Sequence, residues 1–600
     1  MYMTSLISVS NKKGLDTISN FLIKKGYNIL STGGTYSSIK NDINIKYQSR
    51  LKTVSEVTSF PEILDGRVKT LHPIISGAIL AKKDNYKHIE ELQKYNIPDI
   101  KIVIVNLYPF KEVINNPNNT LDDAIENIDI GGHTLIREAS KNYNDILIIV
   151  DPNDYQLVID NFDAIDLKFR RKMAEKALVH ATDYDIAISN YFNTDKRDIF
   201  RHYTKELDFK YGCNPHQNIS SLYNIDRNNS PFKLINGVLG YINIIDAIHS
   251  WQLVHELSTS LELCAAASFK HTSPAGVGTS VILNKTLKES YNVEDIDLTP
   301  LATAFIRARY TDPMSSFGDF IALSHKVDLV TAKLIKREVS DGVIAPDFDP
   351  EALEILKQKK NGKFIIIQVD SNYSNTNITE IKELFGVAIT QQPNNYKTNI
   401  NSILNIVTDN TLLTSNCIRD MIIANISLKY AQSNNVSYAY DGQLLGIASG
   451  QQNRVDCVRL AGEKATLWCL MQHPKVLELR KLFKPEVKRQ DKINGCIRFI
   501  QGNFTKVEYQ YWLKLFLENA SIPDKISEDE KDIFIKLNFN SISMASDAFF
   551  PFRDSIDFAS QYGVKYIIQP GGSVADTGVI TACNEYNMVM SFSNKRLFYH

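Results

Sequence analysis

Short runs of strand-forming residues alternate with helical patterns through the first two hundred residues of the chain. The runs SLISVS, KIVIVNLYPF and DILIIVDP are separated by stretches in which apolar residues recur at helical spacing, as at Leu15, Ile18 and Leu22. Because strands and helices alternate in this way, the sequence predicts an α/β fold with a doubly wound, mostly parallel sheet. Ligands of such sheets bind beyond the carboxyl ends of the strands, so polar residues just after the predicted strands are candidate site residues.

A long amphipathic pattern between residues 169 and 192 predicts the helix that closes this first region. Its apolar stripe consists of Met173, Ala177, Ala181, Tyr184 and Ile188. A charged segment without periodicity follows, and a chain of 600 residues exceeds what one hydrophobic core usually organises. We therefore predict two domains, residues 1–203 and 204–600. Polar breaks around residues 370 to 399 divide the second domain into sub-domains of about 204–390 and 391–600.

Composition excludes several classes of protein. The 67 basic and 68 acidic residues leave a net charge of -1, which gives no global field to attract nucleic acid or an anionic membrane. Apolar runs are too short to span a bilayer, and the N-terminus has no basic segment of a signal peptide, so we expect a cytosolic protein. The seven scattered cysteines favour a reducing compartment, and without C-x-x-C or H-E-x-x-H we expect no zinc site.

Two turns rich in small residues and cations follow predicted strands near the N-terminus. The first contains Ser10, Asn11 and Lys12, and the second runs from Thr32 through Gly33 and Gly34 to Thr35. Glycines let the backbone approach an anion, and the N–H groups at a helix start point towards it. The pair predicts a phosphate-binding cradle, although ordinary helix capping by Ser and Thr explains either turn alone.

Three further segments carry groups suited to acid-base chemistry. GRVKTLHP places Arg67 and Lys69 on the same side of an extended segment, where they indicate either an anion site or a solvated basic face. NLYPF contains Tyr108, and IDIGGHTLIREASK contains Asp129 and Lys141. Near one phosphate, an acid, a tyrosine and two lysines would serve proton transfer and stabilisation of an oxyanion.

In the second domain, SFKHTSPAGVG places Lys270 and His271 directly after an apolar run, at a predicted strand end. A lone histidine at such a place is more often a structural residue, and a lysine beside it is usually solvated. Segments rich in small, polar and aromatic residues follow in order, among them DPMSSFGDF, SDGVIAPDF, GQQNRVDCVRLAG, SDAFFPFRD, QPGGSVAD and RLFYH. The presence of these segments favours a catalytic role for Lys270 and His271.

In the first domain, the motifs GRVKTLHP, NLYPF, IDIGG and AxK resemble the inosine monophosphate (IMP) cyclohydrolase domain, whose fold is similar to methylglyoxal synthase. The resemblance implies ring closure of a formylated aminoimidazole carboxamide ribonucleotide (AICAR) with loss of water and without a cofactor. It implies a catalytic set of Lys69, Tyr108, Asp129 and Lys141, with Lys141 handling the proton. It implies nucleotide contacts at Ser10, Asn11, Lys12, Thr32, Gly33, Gly34, Thr35, Arg67, Thr70 and Asn106.

The motifs of the second domain are similar to those of the AICAR formyltransferase domain, which consists of two halves that resemble cytidine deaminase. The resemblance implies 10-formyltetrahydrofolate as the formyl donor, His271 as the base that takes the amine proton, and Lys270 as the stabiliser of negative charge. Implied nucleotide contacts are Lys210, Tyr211, His271, Gly318, Asp341, Asn434, Arg454, Asp554 and Arg596. Implied folate contacts are Val455, Phe549, Ser573 and Val574. A zinc deaminase is excluded because the chain has no P-C-x-x-C motif.

The resemblance also implies a homodimer, with formyltransferase sites at the subunit boundary, and leaves open a structural potassium ion near SDAFFPF. The chain departs from the family at Asn11, where Asp is usual, and at Ser76, where a second His is usual. Lys210 replaces the Arg of animal enzymes, which keeps the charge but loses the bidentate fork that matches a phosphate. The alternative is a nucleotide-binding regulatory protein that has lost catalysis, which predicts damaged proton-transfer residues.

Overall fold

The computed structural model of the chain describes residues 3–225, 230–373 and 379–600. It divides into two compact units, Met1–Tyr203 and Thr204–His600. No described helix is both long and apolar enough to cross a membrane.

The first unit is a parallel sheet covered by helices, as the alternating sequence predicts. Its strands are β1 (Thr4–Val9), β2 (Asn28–Ser31), β3 (Leu51–Thr53), β4 (Ile100–Asn106) and β5 (Leu147–Ile149). Its helices are α1 (Leu15–Lys24), α2 (Gly33–Asp42), α3 (Val54–Thr58), α4 (Pro73–Leu80), α5 (Tyr86–Lys94), α6 (Phe110–Asn115), α7 (Leu121–Glu126), α8 (Ile130–Lys141), α9 (Tyr155–Asn161) and α10 (Leu167–Phe192). Short 3-10 helices are Ile45–Arg50, Leu64–Gly66, Pro152–Asp154 and Phe162–Ala164.

The strand order of this sheet is β3-β2-β1-β4-β5, with every pairing parallel. The central strands β1 and β4 are buried on both faces, which explains their nearly continuous apolar sequences. Helix α10 buries four residues of the predicted stripe, from Met173 to Tyr184. Because the order reverses between β1 and β4, a crevice opens beyond their carboxyl ends, at Val9 and Asn106.

The second unit contains one large mixed sheet and two small hairpins. Its strands are β6 (Thr204–Asp208), β7 (Ser221–Asn224), β8 (Phe232–Asn236), β9 (Ala265–Lys270), β10 (Ser273–Thr279), β11 (Asp319–Leu323), β12 (Ser340–Ala345), β13 (Ile365–Val369), β14 (Glu380–Leu384), β15 (Val387–Gln391), β16 (Val436–Tyr440), β17 (Gln443–Ala448), β18 (Ile542–Ser546), β19 (Val564–Gln569) and β20 (Val589–Phe592).

Its helices fill both faces of the large sheet. They are α11 (Tyr241–Leu261), α12 (Lys285–Tyr291), α13 (Pro300–Arg309), α14 (Leu329–Arg337), α15 (Pro350–Lys357), α16 (Ser415–Lys429), α17 (Arg454–Leu470), α18 (Pro474–Lys481), α19 (Arg489–Gln501), α20 (Lys506–Leu513), α21 (Glu528–Asn538), α22 (Asp554–Gln561) and α23 (Asp576–Glu585), with 3-10 helices at Lys359–Gly362 and Ile400–Ser402.

The large sheet is built from two copies of one arrangement. Its order is β20-β19-β18-β16-β17-β10-β9-β11-β12-β13-β8. In the first half α11 precedes the antiparallel hairpin β9–β10, then α13 and three parallel strands, β11 to β13. In the second half α16, the hairpin β16–β17, α17 and the parallel strands β18 to β20 repeat the pattern. The halves join where β10 pairs with β17.

One edge of this sheet, called the front edge below, collects the segments that the sequence analysis singled out. Strand register places there the β9–β10 turn, the starts of β11 and β12, the start of β16, and the ends of β17, β18 and β19. The first half contributes mainly amino ends of parallel strands, and the second half contributes carboxyl ends.

Candidate active sites

In the first unit the two predicted phosphate-binding turns lie side by side at the crevice between β1 and β4. The Asn106 side chain accepts the N–H groups of Ser10 and Asn11 at 2.7 and 2.9 Å and donates to Asn11 O at 3.0 Å. These contacts satisfy Asn106 with backbone groups of the first turn. Its side chain therefore sets the shape of that turn.

The second turn is tied to the first by hydroxyl contacts. Thr35 Oγ1 accepts from Val9 N at 3.2 Å and donates to Val9 O at 2.9 Å, while the hydroxyls of Ser8 and Thr32 lie 3.1 Å apart. Gly33 has a φ of +36°, and its N–H donates to Glu62 Oε1 at 3.2 Å. A carboxylate therefore occupies the start of α2, where the backbone favours an anion.

Glu62 was missed by the sequence analysis, and it joins the turn to the catalytic candidates. Its Oε2 lies 3.9 Å from Lys69 Nζ. Lys69 crosses Gly66, which has a φ of +86° and where an added Cβ would lie 2.6 Å from Lys69 Cε. The positive φ at Gly66 favours glycine. The glycine that opens GRVKTLHP is therefore the sequence feature that indicates this turn.

Asp129 caps α8 beside Lys69. Its carboxylate accepts the N–H of Gly132 at 2.6 Å, and its own N–H donates to Tyr184 Oη at 2.9 Å. Burial raises the pKa of the Asp129 carboxyl above its ordinary value. Hydrogen bonds from the backbone N–H groups of Gly132 and Tyr108 and the charges of His133 and Lys69 oppose that rise. A carboxyl tuned in this way suits proton transfer.

Thr70 lies at the start of α8, next to Lys69 in sequence, and the charge of Lys69 and the backbone of Tyr108 both act on the Asp129 carboxyl. A Cβ added at Gly131 would lie 2.9 Å from Thr70 Oγ1. Tyr184, another residue that sequence analysis missed as part of the site, donates its hydroxyl to Asn127 O at 2.6 Å. The Tyr184 hydroxyl therefore fixes the backbone from Asn127 to Asp129.

Arg67 and Lys141 do not join this cluster. The predicted extended segment is instead a 3-10 turn followed by a helical Arg67, with φ −65° and ψ −24°, so Arg67 pairs with Glu126. Lys141 ends α8, 12 residues long, which separates it from Asp129 by about 18 Å of helix. It lines a separate open cavity of about 490 Å³ with Leu80, Arg137, Glu138, Ser140 and Leu178.

In the second unit Lys270 and His271 lie at the β9–β10 turn on the front edge. Lys270 Nζ donates to Phe317 O at 2.7 Å, which places the lysine beside the exposed Phe317 ring and the adjacent Gly318. His271 is exposed, with its imidazole on a turn rather than in the core. Asp341, near the start of β12 on the same edge, pairs with Lys360 at 2.5 Å.

Arg454 is buried, although the resemblance assigns it to the nucleotide. Its guanidinium pairs with Asp547, donates to Asn435 O at 2.8 Å, and donates to Asn434 Oδ1 at 2.9 Å. Asp547 also accepts from the Ser433 hydroxyl at 2.5 Å. Arg454 therefore orients the amide of Asn434, and Asp547, inside SDAFF, is a site residue that the sequence analysis missed.

The remaining predicted residues of the second half line the front edge near Arg454. Val455 is half-buried in the first turn of α17, Asp554 begins α22, and Phe549 is 41% exposed. Ser573 and Val574 lie on the loop after β19, where the Asp576 carboxylate accepts the Ser573 N–H at 3.0 Å. Exposed apolar groups beside buried polar ones suit a flat ring with a polar edge.

The C-terminal segment connects both halves along the front edge. Leu597 N donates to Asp547 O at 2.9 Å, and Ser433 N donates to Tyr599 O at 3.0 Å. The Tyr599 hydroxyl then lies 3.1 Å from Nε2 of His249 on α11. Arg596, on this segment, stacks its guanidinium 4.6 Å from the centre of the Phe598 ring.

Lys210 and Tyr211 follow β6 and approach the start of α11. The neighbouring Phe209 is buried against the Tyr241 ring with centroids 6.0 Å apart. Lys210 Nζ lies 6.0 Å from the centre of the Tyr211 ring, and both residues are exposed. Their cation and aromatic face therefore remain available at the surface.

Each of the two units has an α/β fold with a candidate site that carries groups suited to acid-base catalysis, and in the first unit the candidate phosphate-binding turns lie at that site. Among the described residues, no cluster of three His, Cys, Asp or Glu side chains is placed to hold a metal ion. The fold and these candidate sites are typical of an enzyme that uses acid-base catalysis.

Comparison with known proteins identifies the family. The model of the AICARFT/IMPCHase bienzyme family matches residues 139–464, and that of the MGS-like domain matches residues 14–134. The bifunctional purine biosynthesis protein PurH of Lysinibacillus sphaericus is 34% identical, with 100% of each chain covered. PurH proteins of Dictyostelium discoideum and Oenococcus oeni are 33% and 31% identical, covering 100% and 99% of each chain.

The chain belongs to the AICARFT/IMPCHase bienzyme family. It is a bifunctional enzyme of purine biosynthesis that has AICAR formyltransferase and IMP cyclohydrolase activities. The candidate proton-transfer residues Lys69, Lys141, Lys270 and His271 are all present, and nothing favours a regulatory protein that has lost catalysis.

Proposed function

We propose that cyclisation occurs at the crevice of the first unit, with Lys69, Tyr108 and Asp129 around the reacting groups. The carboxamide nitrogen of the formylated ribonucleotide attacks the formyl carbon and gives its proton to Asp129. Lys69 and the Tyr108 hydroxyl stabilise the oxygen of the tetrahedral adduct. This oxygen receives the proton from Asp129 and a second proton from the former formamide nitrogen, and leaves as water. The observation that carries this proposal is the half-buried Asp129 carboxyl, which accepts the N–H of Gly132 at 2.6 Å and is influenced by the charge of Lys69 and by the backbone N–H of Tyr108.

The nucleotide phosphate then binds in the cradle formed by Ser10 to Lys12 and Thr32 to Thr35. Backbone N–H groups at the start of α2 provide the donors, and the phosphate takes the place that the Glu62 carboxylate holds at Gly33 N. Arg67, which pairs with Glu126 in this structure, and Thr70 are proposed to contact the nucleotide as well. Lys69 is then free to turn from Glu62 towards the reacting formyl oxygen.

Lys141 requires a second subunit if it acts in cyclisation, because about 18 Å of helix separates it from Asp129 in its own chain. We propose that it reaches the crevice of the partner in a homodimer. The open cavity around Lys141, lined also by Arg137 and Leu178, is compatible with a surface that another subunit covers.

Mixing inactive subunits tests the role of Lys141 in trans. Lys69→Met and Lys141→Met homodimers should each lose cyclisation, and after joint denaturation and refolding the mixture should regain about one quarter of the wild-type rate. The physical reason is that half of the dimers are then hybrids, each with one site that has both lysines. The readout is IMP formation from formylated AICAR.

Two controls make that test decisive. Each variant refolded alone should stay inactive, and a wild-type sample refolded in the same way sets the recoverable rate. No regain in the mixture contradicts the trans arrangement, as does a Lys141→Met homodimer with wild-type cyclisation.

For formyl transfer we propose that the AICAR amine attacks the formyl carbon of 10-formyltetrahydrofolate at the front edge. His271 takes the amine proton as the new C–N bond forms, and it returns a proton to the folate nitrogen as the bond between that nitrogen and the formyl carbon breaks. Lys270 stabilises the negative charge that develops on the formyl oxygen. This proposal is supported by the exposed imidazole on the turn and by the anchoring of Lys270 at Phe317 O.

The remaining front-edge residues divide between the two substrates. Lys210, Tyr211, Gly318, Asp341, Asn434, Arg454, Asp554 and Arg596 are proposed to bind or orient the nucleotide, with Arg454 acting through Asn434. Val455, Phe549, Ser573 and Val574 are proposed to bind the folate. We propose further that these sites lie at the boundary of a homodimer.

The cytosol is the proposed location, because all seven cysteines are unpaired thiols. A structural potassium ion near residues 546–552, left open by the family resemblance, takes no part in either proposed reaction.

A further inference from the structure

The turn that carries His271 has a backbone conformation that its own residues disfavour. His271 and Thr272 have φ values of +52° and +61°, so both are left-handed. A two-residue hairpin turn with positive φ at both central positions favours Asn-Gly or Asp-Gly, and a β-branched residue there is an outlier. Some other group must therefore stabilise this turn.

A buried carboxylate lies directly beneath the turn. Asp246, on α11 and only 5% exposed, accepts the N–H of Thr272 at 2.6 Å. The Nε2 atom of His249, one helical turn later, lies 3.1 Å from the Tyr599 hydroxyl. The contact from Asp246 thus fixes the backbone next to the proposed catalytic histidine.

The second half of the sheet has an equivalent carboxylate contact at a hairpin turn that carries no proposed catalytic residue. Asp420, at the sixth position of α16 as Asp246 is of α11, accepts the N–H groups of Asp441 and Gly442 at 2.9 and 2.8 Å. That turn is also left-handed, with φ values of +49° and +83°, but it has the favoured Asp-Gly sequence. The first half has His271 and Thr272 at the corresponding turn positions and a carboxylate at the same position of the preceding helix.

Burial makes ionisation of both carboxyl groups unfavourable unless hydrogen bonds to the charged form compensate for the lost hydration. It raises the pKa of Asp246 to about 6 and also raises the pKa of Asp420. Two buried acids retained at equivalent places, each bonded to a hairpin turn, indicate that holding the turn is their common role.

We propose that Asp246 is a positioning residue for formyl transfer, which holds the His271 turn in its left-handed conformation. This inference rests on the proposed function of His271 as the base. Without the bond to Thr272 N, the turn relaxes to a conformation that its side chains prefer, and the imidazole leaves the position from which it takes the amine proton. Asp246 itself does not touch the substrate.

The test compares two replacements of Asp246 by their kinetics of formyl transfer. Asp246→Ala should lower kcat by about 10- to 100-fold, since displacing a catalytic group by about 1 Å has effects of that size. KM for AICAR should change less than about threefold, because the nucleotide contacts remain. Asp246→Asn should retain kcat within about threefold of wild type, because an amide oxygen accepts the same N–H.

Asp420→Ala is the matched control, since it removes the equivalent contact from the second-half turn. It should lower the melting temperature while keeping kcat within about threefold of wild type. If Asp246→Ala folds poorly by circular dichroism, Asp246→Ser replaces it, because the shorter hydroxyl does not reach Thr272 N.

Equal losses in the Asp246→Asn and Asp246→Ala variants would overturn the inference, as would wild-type kcat in Asp246→Ala. The His271→Ala variant, measured in parallel, distinguishes an error in the proposed role of His271 from an error in the proposed role of Asp246. If it retains formyl transfer, the proposed role of His271 is wrong; if it is inactive while Asp246→Ala is fully active, only the positioning role of Asp246 is wrong.

Discussion

Replacing His271 by alanine is expected to lower kcat for formyl transfer by about two to four orders of magnitude, the usual contribution of a positioned acid-base group. The AICAR amine is conjugated with the carboxamide and is a poor nucleophile, so its proton must leave as the new bond forms. His271 is an exposed imidazole beside Lys270 on the front edge. Tetrahydrofolate release under saturating substrates measures the effect.

Cyclisation of supplied formylated AICAR should remain at the wild-type rate in this variant, because the cyclohydrolase candidates all lie in the unit Met1–Tyr203. His325→Ala is the matched control, since that histidine is exposed beyond the other end of β11. Formyl transfer in His271→Ala within a few-fold of wild type would refute the assignment of the base.

Lys69→Met should lower kcat for cyclisation by about 10²- to 10³-fold, as expected when a group that stabilises an oxyanion is removed. Methionine keeps most of the length of the side chain, so its packing over Gly66 is retained while the charge is lost. The Asp129 carboxyl then also loses a neighbouring cation. IMP formation from formylated AICAR is the measurement.

Lys52→Met provides the control for Lys69→Met, because Lys52 is an exposed lysine on β3 of the same unit. It should cyclise at the wild-type rate, and both variants should transfer formyl groups normally. A Lys69→Met enzyme with full cyclohydrolase activity would contradict the proposed site.

The sequence was sufficient for features that depend on local pattern. Continuous apolar runs predicted buried parallel strands, and the stripe from Met173 to Tyr184 predicted α10, which the structure confirms. The turns after β1 and β2 lie side by side as expected, because carboxyl ends of neighbouring parallel strands share one edge. Local chemistry and periodicity fix such features without knowledge of distant contacts.

Features that depend on distant partners escaped the sequence analysis. Arg67 pairs with Glu126, and Arg454 is buried against Asp547, because tertiary packing rather than spacing selects the partner of a charge. The length of α8 is visible in the sequence, yet only the structure reveals that Asp129 and Lys141 lie at its opposite ends. The carboxylate of Asp246 beneath the His271 turn comes from 25 residues earlier in the chain and had no motif to reveal it.

The central claim, that this one chain performs both reactions in sequence, is tested by incubating the purified enzyme with AICAR and 10-formyltetrahydrofolate. Tetrahydrofolate and IMP are followed together in the same sample. We expect tetrahydrofolate and IMP to form in equal final amounts, with the formylated ribonucleotide as the intermediate. Absence of tetrahydrofolate would contradict the formyltransferase, and formylated AICAR that accumulates without IMP would contradict the cyclohydrolase.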